Sequence, residues 1–341
     1  MLDDLIKEAA NRRDVFKKLG VTALGAALLA DAGFDPAIAQ ELKPSGKPLK
    51  AAMSNAGLQA TWCAQGKQAA EAWAKLMNVE VTWFDGELSA TKQRATIENL
   101  ATQKWDFVAV QTFGIGTLNE PMQRVIDAGT PVIAMDTMMA PEGQLALHTF
   151  IAPDNIMMGS VVTAALVNAM GGGGNVTMTQ GALGHSGAQG RAKGFHQVVD
   201  GNGNIKLLDE QPADWDVTKV ARIWDSLLTQ HPDIKGAFFH NDDMALAARN
   251  VMEAKGRNDI LVAGVDAMPP AVNAVLEGKM VATVRNPSCR IHGWSIAAGV
   301  AAVVGGEMAG KDIPNFILAD GPVITKETAA GHLWLQKNFL I

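Results

Sequence analysis

Tyrosine is absent from this chain of 341 residues, cysteine occurs twice, and no two basic residues stand side by side after Lys18. Each shortage excludes something. Without tyrosine, an aromatic platform for a ligand must come from the eight Trp or eleven Phe residues. Cys63 and Cys289 lie far apart, and two cysteines make no disulfide framework, so both read as small apolar fillers without a bridge. Lys and Arg total 29 against 35 Asp and Glu, a formal net charge of -6, which lacks the basic footprint nucleic acid requires. Missing too are a Gly-x-Ser-x-Gly elbow, a Walker lysine motif and paired Cys/His metal spacing, so no reaction can be written. No catalytic residue, metal site or cofactor is expected.

A hydrophobic content of 48% is ample for a core. Before the core begins, Arg12, Arg13, Lys17 and Lys18 precede an uncharged stretch of twelve residues at 19–30, and Ala37-Ile38-Ala39 offers a small-x-small cleavage site. Spanning a bilayer takes about 20 residues, so 1–39 reads as an export signal and not as an anchor. The segment 11–17 resembles a twin-arginine signal, with an ordinary Sec signal as the alternative. Export to the periplasm is the expectation.

From residue 49 onward short apolar runs alternate with longer helical patterns, the rhythm of βαβ units and a parallel sheet. Strands are expected at 49–54, 79–84, 107–111 and 131–135, then again at 175–180, 205–211, 236–239, 260–265 and 281–284. Nine or ten strands exceed one comfortable doubly wound sheet. The expected fold class is therefore α/β with two Rossmann-like lobes, joined near 150–154, where a further apolar strand runs into Pro153. The glycines at 171–174 precede their strand and carry no Lys-Ser/Thr ending, so they read as a helix end and turn. The segment 181–187 (GALGHSG) does follow a strand and opens a helix, so its amides are free to meet a polar ligand.

Ligands bind beyond the carboxyl ends of such strands, and the residues found there are polar. Asn55 follows the first strand, Gln111 the third, Asp136 and Thr137 the fourth; Trp215, Asn241, Asp266 and Asn286 follow later ones. Amides and carboxylates with two sites each suit adjacent hydroxyls, and a Trp face suits the C–H side of a sugar ring. One Asp or Asn at a strand end is more often a helix cap or turn residue. Recurrence on most strands is what favours a site.

Several motifs carry a resemblance: 211–216 (QPADWD), 227–233 (LLTQHPD), 241–245 (NDDMA) and 264–266 (GVD), supported by 131–136 (PVIAMD) and 152–155 (APDN). The chain resembles periplasmic sugar-binding proteins of the ribose-binding class, the extracytoplasmic components of ABC transporters. That resemblance implies a type I periplasmic binding fold with lobes at 48–151 plus about 287–316 and at 152–286 plus about 317–341. The lobes would hinge near 152–154, 286–287 and 314–321. It implies Trp215 as a stacking ring, Asp136, Asn241 and Asp266 as hydrogen-bonding partners, Asn286 beside a hinge, and Gln59 and Trp62 as contacts from the first lobe. Thr137 and Gln189 stand where the ribose-type pattern carries Arg, so both cations are expected to be missing, with His185, Ser186, His240 and Arg285 close enough to compensate. The expected ligand is a neutral sugar or polyol other than ribose. The expected partner is an inner-membrane ABC permease, and the protein is read as a monomer. A chemosensory protein would share every binding residue. A repressor of the same fold would need a helix-turn-helix where this chain carries its leader, and an α/β enzyme would need a motif it lacks.

Overall fold

The computed structural model describes residues 46–305 and 314–338; the leader read at 1–39 lies outside the described residues. Two six-stranded sheets organise the chain. In the first, β1 (Leu49–Asn55), β2 (Val79–Asp85), β3 (Phe107–Val110), β4 (Val132–Met135), β5 (Thr149–Ala152) and β11 (Phe316–Leu318) run in the order β11-β5-β4-β3-β1-β2, all parallel. Helices α1 (Thr61–Leu76), α2 (Ala90–Leu100) and α3 (Asn119–Asp127) connect its strands, and α9 (Ser288–Val304) returns to pack on α1. The second sheet holds β6 (Gly174–Gln180), β7 (Ile205–Pro212), β8 (Gly236–Phe239), β9 (Leu261–Val265), β10 (Ala282–Val284) and β12 (Val323–Ile324), ordered β12-β10-β9-β8-β6-β7. Its helices are α4 (Asn155–Ala169), α5 (Ser186–Val199), α6 (Val217–Gln230), α7 (Asp242–Ala254), α8 (Pro269–Leu276) and α10 (Lys326–Asn338).

Central strands such as β3, β4 and β8 are buried at every residue, because helices cover both faces of each sheet. In the first lobe Met53, Phe107, Ile133 and Ile291 form one face's cluster and Ile97, Val108, Met122 and Val132 the other's. In the second, Met158, Val162, Phe195 and Phe238 lie on one side and Trp224, Phe239, Met244 and Val272 on the other.

Two strands escape the sequence reading. The segment expected to serve only as a crossing near 314–321 contains β11, and just beyond it lies β12, which pairs antiparallel with β10. Three and two residues are too few to show a period. The glycines at 171–174 behave as a helix end: Gly171 and Gly172 take φ 77° and 86° just after α4.

The chain passes between the sheets at Pro153–Asp154, at Arg285–Pro287 and at Ala319–Pro322. These passages are tied together. Asp154 caps α4 by accepting from the Met157 amide at 2.9 Å while its own N–H donates to Asp320 Oδ1 at 2.8 Å, and the Arg285 amide donates to the Pro322 carbonyl at 3.0 Å. In each sheet the strand order reverses once, between β1 and β3 and between β6 and β8, so the crevices for a ligand open beyond Asn55 and Gln111 and beyond Gln180 and His240.

Candidate functional site

Both crevices open into one cavity of about 40 Å³, well below the roughly 300–1,000 Å³ typical of small-molecule sites, so a sugar-sized guest requires the two walls to move apart. Its first wall rests on Asp136. Directly after β4 this residue adopts φ 58°, a left-handed turn that directs a buried carboxylate across the strand ends. Oδ1 accepts from Asn286 Nδ2 at 3.0 Å, and Oδ2 accepts from Gln111 Nε2 at 3.1 Å and from the Thr137 hydroxyl at 3.2 Å. Gln111 Oε1 in turn accepts from the Ala56 amide at 3.2 Å and the Cys63 thiol at 3.3 Å. Trp62 donates its Nε1–H to the Asn286 carbonyl at 3.0 Å, while Asn286 Oδ1 is buried without a partner.

The second wall is built around Arg191. Its guanidinium donates from Nε to Asn155 Oδ1 at 3.0 Å and from Nη1 to the His240 carbonyl, places Nη2 3.7 Å from Asp266 Oδ1, and lies 5.8 Å from the Trp215 ring centre. Trp215 follows Asp214 in a pair of left-handed residues, φ 54° and 64°, which turns the indole inward. Gly181 makes room for it: a Cβ there would come within 2.0 Å of the ring. The Trp215 Nε1–H is buried and unpaired. Asn241 caps α7, its Oδ1 accepting from the Met244 amide at 2.9 Å, so Nδ2 is what it can offer elsewhere.

His185 joins the walls. Its Nδ1 accepts from the Gly187 amide at 3.1 Å, so the proton sits on Nε2, which donates to Thr137 Oγ1 at 2.8 Å; that hydroxyl passes its own proton toward Asp136. Further bonds cross between the lobes: Ile115 N–H to the Gly184 carbonyl at 2.9 Å and Met138 N–H to Ser186 Oγ at 2.8 Å.

Of the twelve residues expected at a site, eight line this cavity: Trp62, Gln111, Asp136, His185, Trp215, Asn241, Asp266 and Asn286. Asn55 lies buried behind them, donating from Nδ2 to the Cys63 carbonyl at 3.0 Å, and Thr137 is buried between Asp136 and His185. Gln59 is exposed in the turn after β1, and Gln189 is exposed on α5, where it donates to the Leu183 carbonyl. His240 is fully buried, accepting from the Gly181 amide at 3.1 Å, and Arg285 is buried away from the cavity. Ala56, Ala60, Cys63, Leu88 and Arg191 complete the lining. Both cysteines are free and buried.

Arg191 overturns the expectation that the cleft lacks a cation. Residues two apart on a helix point in different directions, so Gln189 faces water and Arg191 faces in. The signal was present in the helical period: Ala188, Arg191, Phe195 and Val199 share the buried stripe of α5, and a charged residue in such a stripe asks for a partner. A roomier groove on the outer surface along α6, lined by Gln211, Lys219, Arg222 and Gln230, brings together none of the residues of the buried polar set.

Burial also sets the titration behaviour. It pulls His185 and His292 down to about 4 and His240 well below its ordinary value, all three being held neutral. It pushes Asp242 up to about 8 and Asp266 well above the usual carboxylate range, Arg191 opposing the rise in both. The two groups act oppositely on stability. As pH falls from about 6.5 toward 4, the unfolded chain takes up protons on these three histidines that the fold excludes, so stability drops. As pH rises from about 4 toward 8, the fold retains protons on Asp242 and Asp266 that the unfolded chain has lost, so this contribution falls throughout that interval and is outweighed by the three histidines only below about 6.5. Melting temperature measured between pH 4.5 and 9 is expected to peak near 6.5. A monotonic profile across that range would contradict the burial of these groups.

A family model described as a periplasmic binding protein domain matches residues 51–307. The chain is 30% identical over 218 residues to the ribose import binding protein of Escherichia coli strain K12, covering 64% of this chain and 72% of that protein. It is 27% identical over 267 residues to the xylitol-binding protein of Mycolicibacterium smegmatis, covering 77% and 73% respectively. Among solved structures, an ABC transporter solute-binding protein from Mycobacterium smegmatis with bound glycerol superposes with a TM-score of 0.76 at 29% identity, over 83% of this chain and 96% of that one.

Proposed function

The chain belongs to the periplasmic binding protein domain family, and from that premise we propose that it is the extracytoplasmic solute-binding component of an ABC importer, holding a neutral monosaccharide or polyol between its lobes. One observation carries this reading: Gln111, Asp136 and Asn286 from one wall and Arg191, Asn241 and Asp266 from the other converge on a single cavity that Trp215 flanks. The orphaned Trp215 donor and Asn286 acceptor suit hydroxyl groups, which both give and take a hydrogen bond. The carboxyl groups of Asp136 and Asp266 beside one guanidinium disfavour an anionic guest. Relatives named for ribose and xylitol, and a structural neighbour holding glycerol, support the ligand class. In this reading the protein performs no reaction; it acts outside the cytoplasm, as the basic and apolar character of 1–39 also supports, and hands its cargo to a membrane permease. No helix among the described residues is long and apolar enough to cross a membrane.

A panel of neutral pentoses, hexoses and polyols read by thermal shift tests this. A ligand at a hundred times its Kd adds about 2.7 kcal/mol to the folded state, a rise of several degrees. A panel without any rise would overturn the proposal.

Closure works through contacts that exist only when the lobes meet. Helix α1 has no side-chain cap of its own. Asp243, from the first turn of α7 in the other lobe, accepts from both the Thr61 amide at 2.9 Å and the Thr61 hydroxyl at 2.7 Å, and so caps α1 across the cleft. A cap is worth about 1 kcal/mol. Asp243→Ala is therefore expected to weaken every ligand about fivefold without changing their order of preference. Calorimetry across several ligands checks this, and a changed order would make Asp243 a ligand contact instead.

A further inference from the structure

The cavity has one stretch of lining without a polar side chain, and Leu88 is part of it. The loop from β2 to α2 is only four residues long, 86–89, and is held at each step. Asp85 Oδ1 accepts from the Leu58 and Glu87 amides, both at 3.0 Å; Gly86 N–H donates to the Asn55 carbonyl at 3.0 Å and Leu88 N–H to the Ala56 carbonyl at 2.8 Å. These bonds hold two consecutive non-glycine residues in the left-handed region, Glu87 at φ 50° and Leu88 at φ 52°. Such strain persists only where its surroundings impose it, and it gathers at functional sites. Gly57 is part of the imposition, since a Cβ there would meet Leu88 N at 2.4 Å and its Cγ at 2.6 Å. The strained loop delivers an apolar side chain. Leu88 lines the cavity and, from the first lobe, packs against the second lobe's cluster that contains Trp215.

Around Leu88 the lining is Ala56 and Ala60, which have no polar side-chain atom. Their amides are committed, Ala56 to Gln111 Oε1 and Ala60 to the Gly57 carbonyl, and their carbonyls each already accept one bond, from Leu88 N–H and from Ala64 N–H. The neighbouring Cys63 thiol is committed to Gln111. A ligand hydroxyl pointing at this wall would find no donor and, as acceptors, only carbonyls that already carry a bond.

We infer that Leu88 is a specificity-determining residue that selects a ligand bearing hydrogen, not hydroxyl, on the edge beneath it: a deoxy sugar, or a polyol with an unsubstituted carbon at that position. This rests on the sugar or polyol reading above and refines it. A hydrophobic site rejects an added hydroxyl by about a hundredfold at most, and a buried unpaired group accounts for a similar factor.

Isothermal titration of the wild-type protein, Leu88→Asn and Leu88→Ala, against matched hydroxy/deoxy pairs that cover each ring carbon, tests the inference. Asn tolerates the left-handed conformation, which offsets part of the packing Leu88 gives up, so Leu88→Asn is expected to fold and to add a donor and an acceptor to the wall, with binding read well below its melting temperature. The wild-type protein is expected to bind the deoxy member of one pair at least tenfold more tightly than its hydroxy partner. That ratio is expected to fall at least fivefold in Leu88→Asn, and to fall in Leu88→Ala as water gains access to the wall. Wild-type binding that favours the hydroxy member of every pair, or a ratio unchanged in both variants while they still bind, would overturn the role of Leu88 and leave the sugar reading standing. Absence of wild-type binding to every pair and to the wider panel would overturn both.

Discussion

Arg191→Ala is expected to reduce ligand affinity by at least thirtyfold and, for the best ligand, by more than a thousandfold. Arg191 is 3% exposed and its guanidinium serves four neighbours at once, so its removal leaves more than an empty space. Asp266 loses the one charged partner it has within 4 Å among the described residues, and the His240 carbonyl loses its donor. Removing a buried charged donor that pairs with the ligand costs about 2–5 kcal/mol of affinity, whereas the loss of its protein partners is felt with and without ligand and lowers stability. Arg191→Lys keeps the charge but not the planar fork, and an intermediate affinity is expected from it. The variants should be titrated well below their own melting temperatures, because the bonds to Asn155 and His240 also brace α5 against its surroundings. Affinity kept within threefold in Arg191→Ala would remove the guanidinium from the site.

The second large effect is expected at Trp215. If the indole covers roughly 100 Å² of ligand, its loss at ~25 cal/mol/Å² is worth about 2.5 kcal/mol, or roughly seventyfold in Kd. The backbone gives a clean comparison. Trp215 already occupies φ 64°, so Trp215→Ala leaves the backbone conformation unchanged there. Because the indole also belongs to its lobe's buried cluster, melting temperature should fall as well, so affinity is read well below it, with Trp215→Phe restoring part of both. Calorimetry showing unchanged binding in Trp215→Ala would place the ligand elsewhere.

How much of this could be read without coordinates differs from element to element. Fully apolar runs such as 236–239 announced buried strands, and polar residues at their carboxyl ends announced a crevice, because parallel sheets under helices leave few other arrangements. Asp136, Trp215, Asn241 and Asp266 meet for that reason. Gln59 was different: a turn residue has no period to tell inward from outward, and this one faces water. Thr137 and Asn55 sit at strand ends as expected, yet they support the lining from behind, a distinction of one side-chain length that no pattern records. Arg191 was hidden by comparing positions along the chain where the helical stripe was the better guide. Leu88 left no trace, since its place depends on two left-handed residues, and neither Glu nor Leu advertises that conformation. The strands β11 and β12 exist only because their neighbours supply an edge to pair with.

The most direct test is a crystal structure of the protein grown with the tightest ligand found in the panel. One neutral, hydroxyl-bearing molecule is expected between the lobes, hydrogen-bonded to Asp136 or Asn286 on one side and to Arg191 or Asp266 on the other, with the Trp215 face against its C–H edge. A ligand held by one lobe alone, or seated on the outer surface, would contradict it.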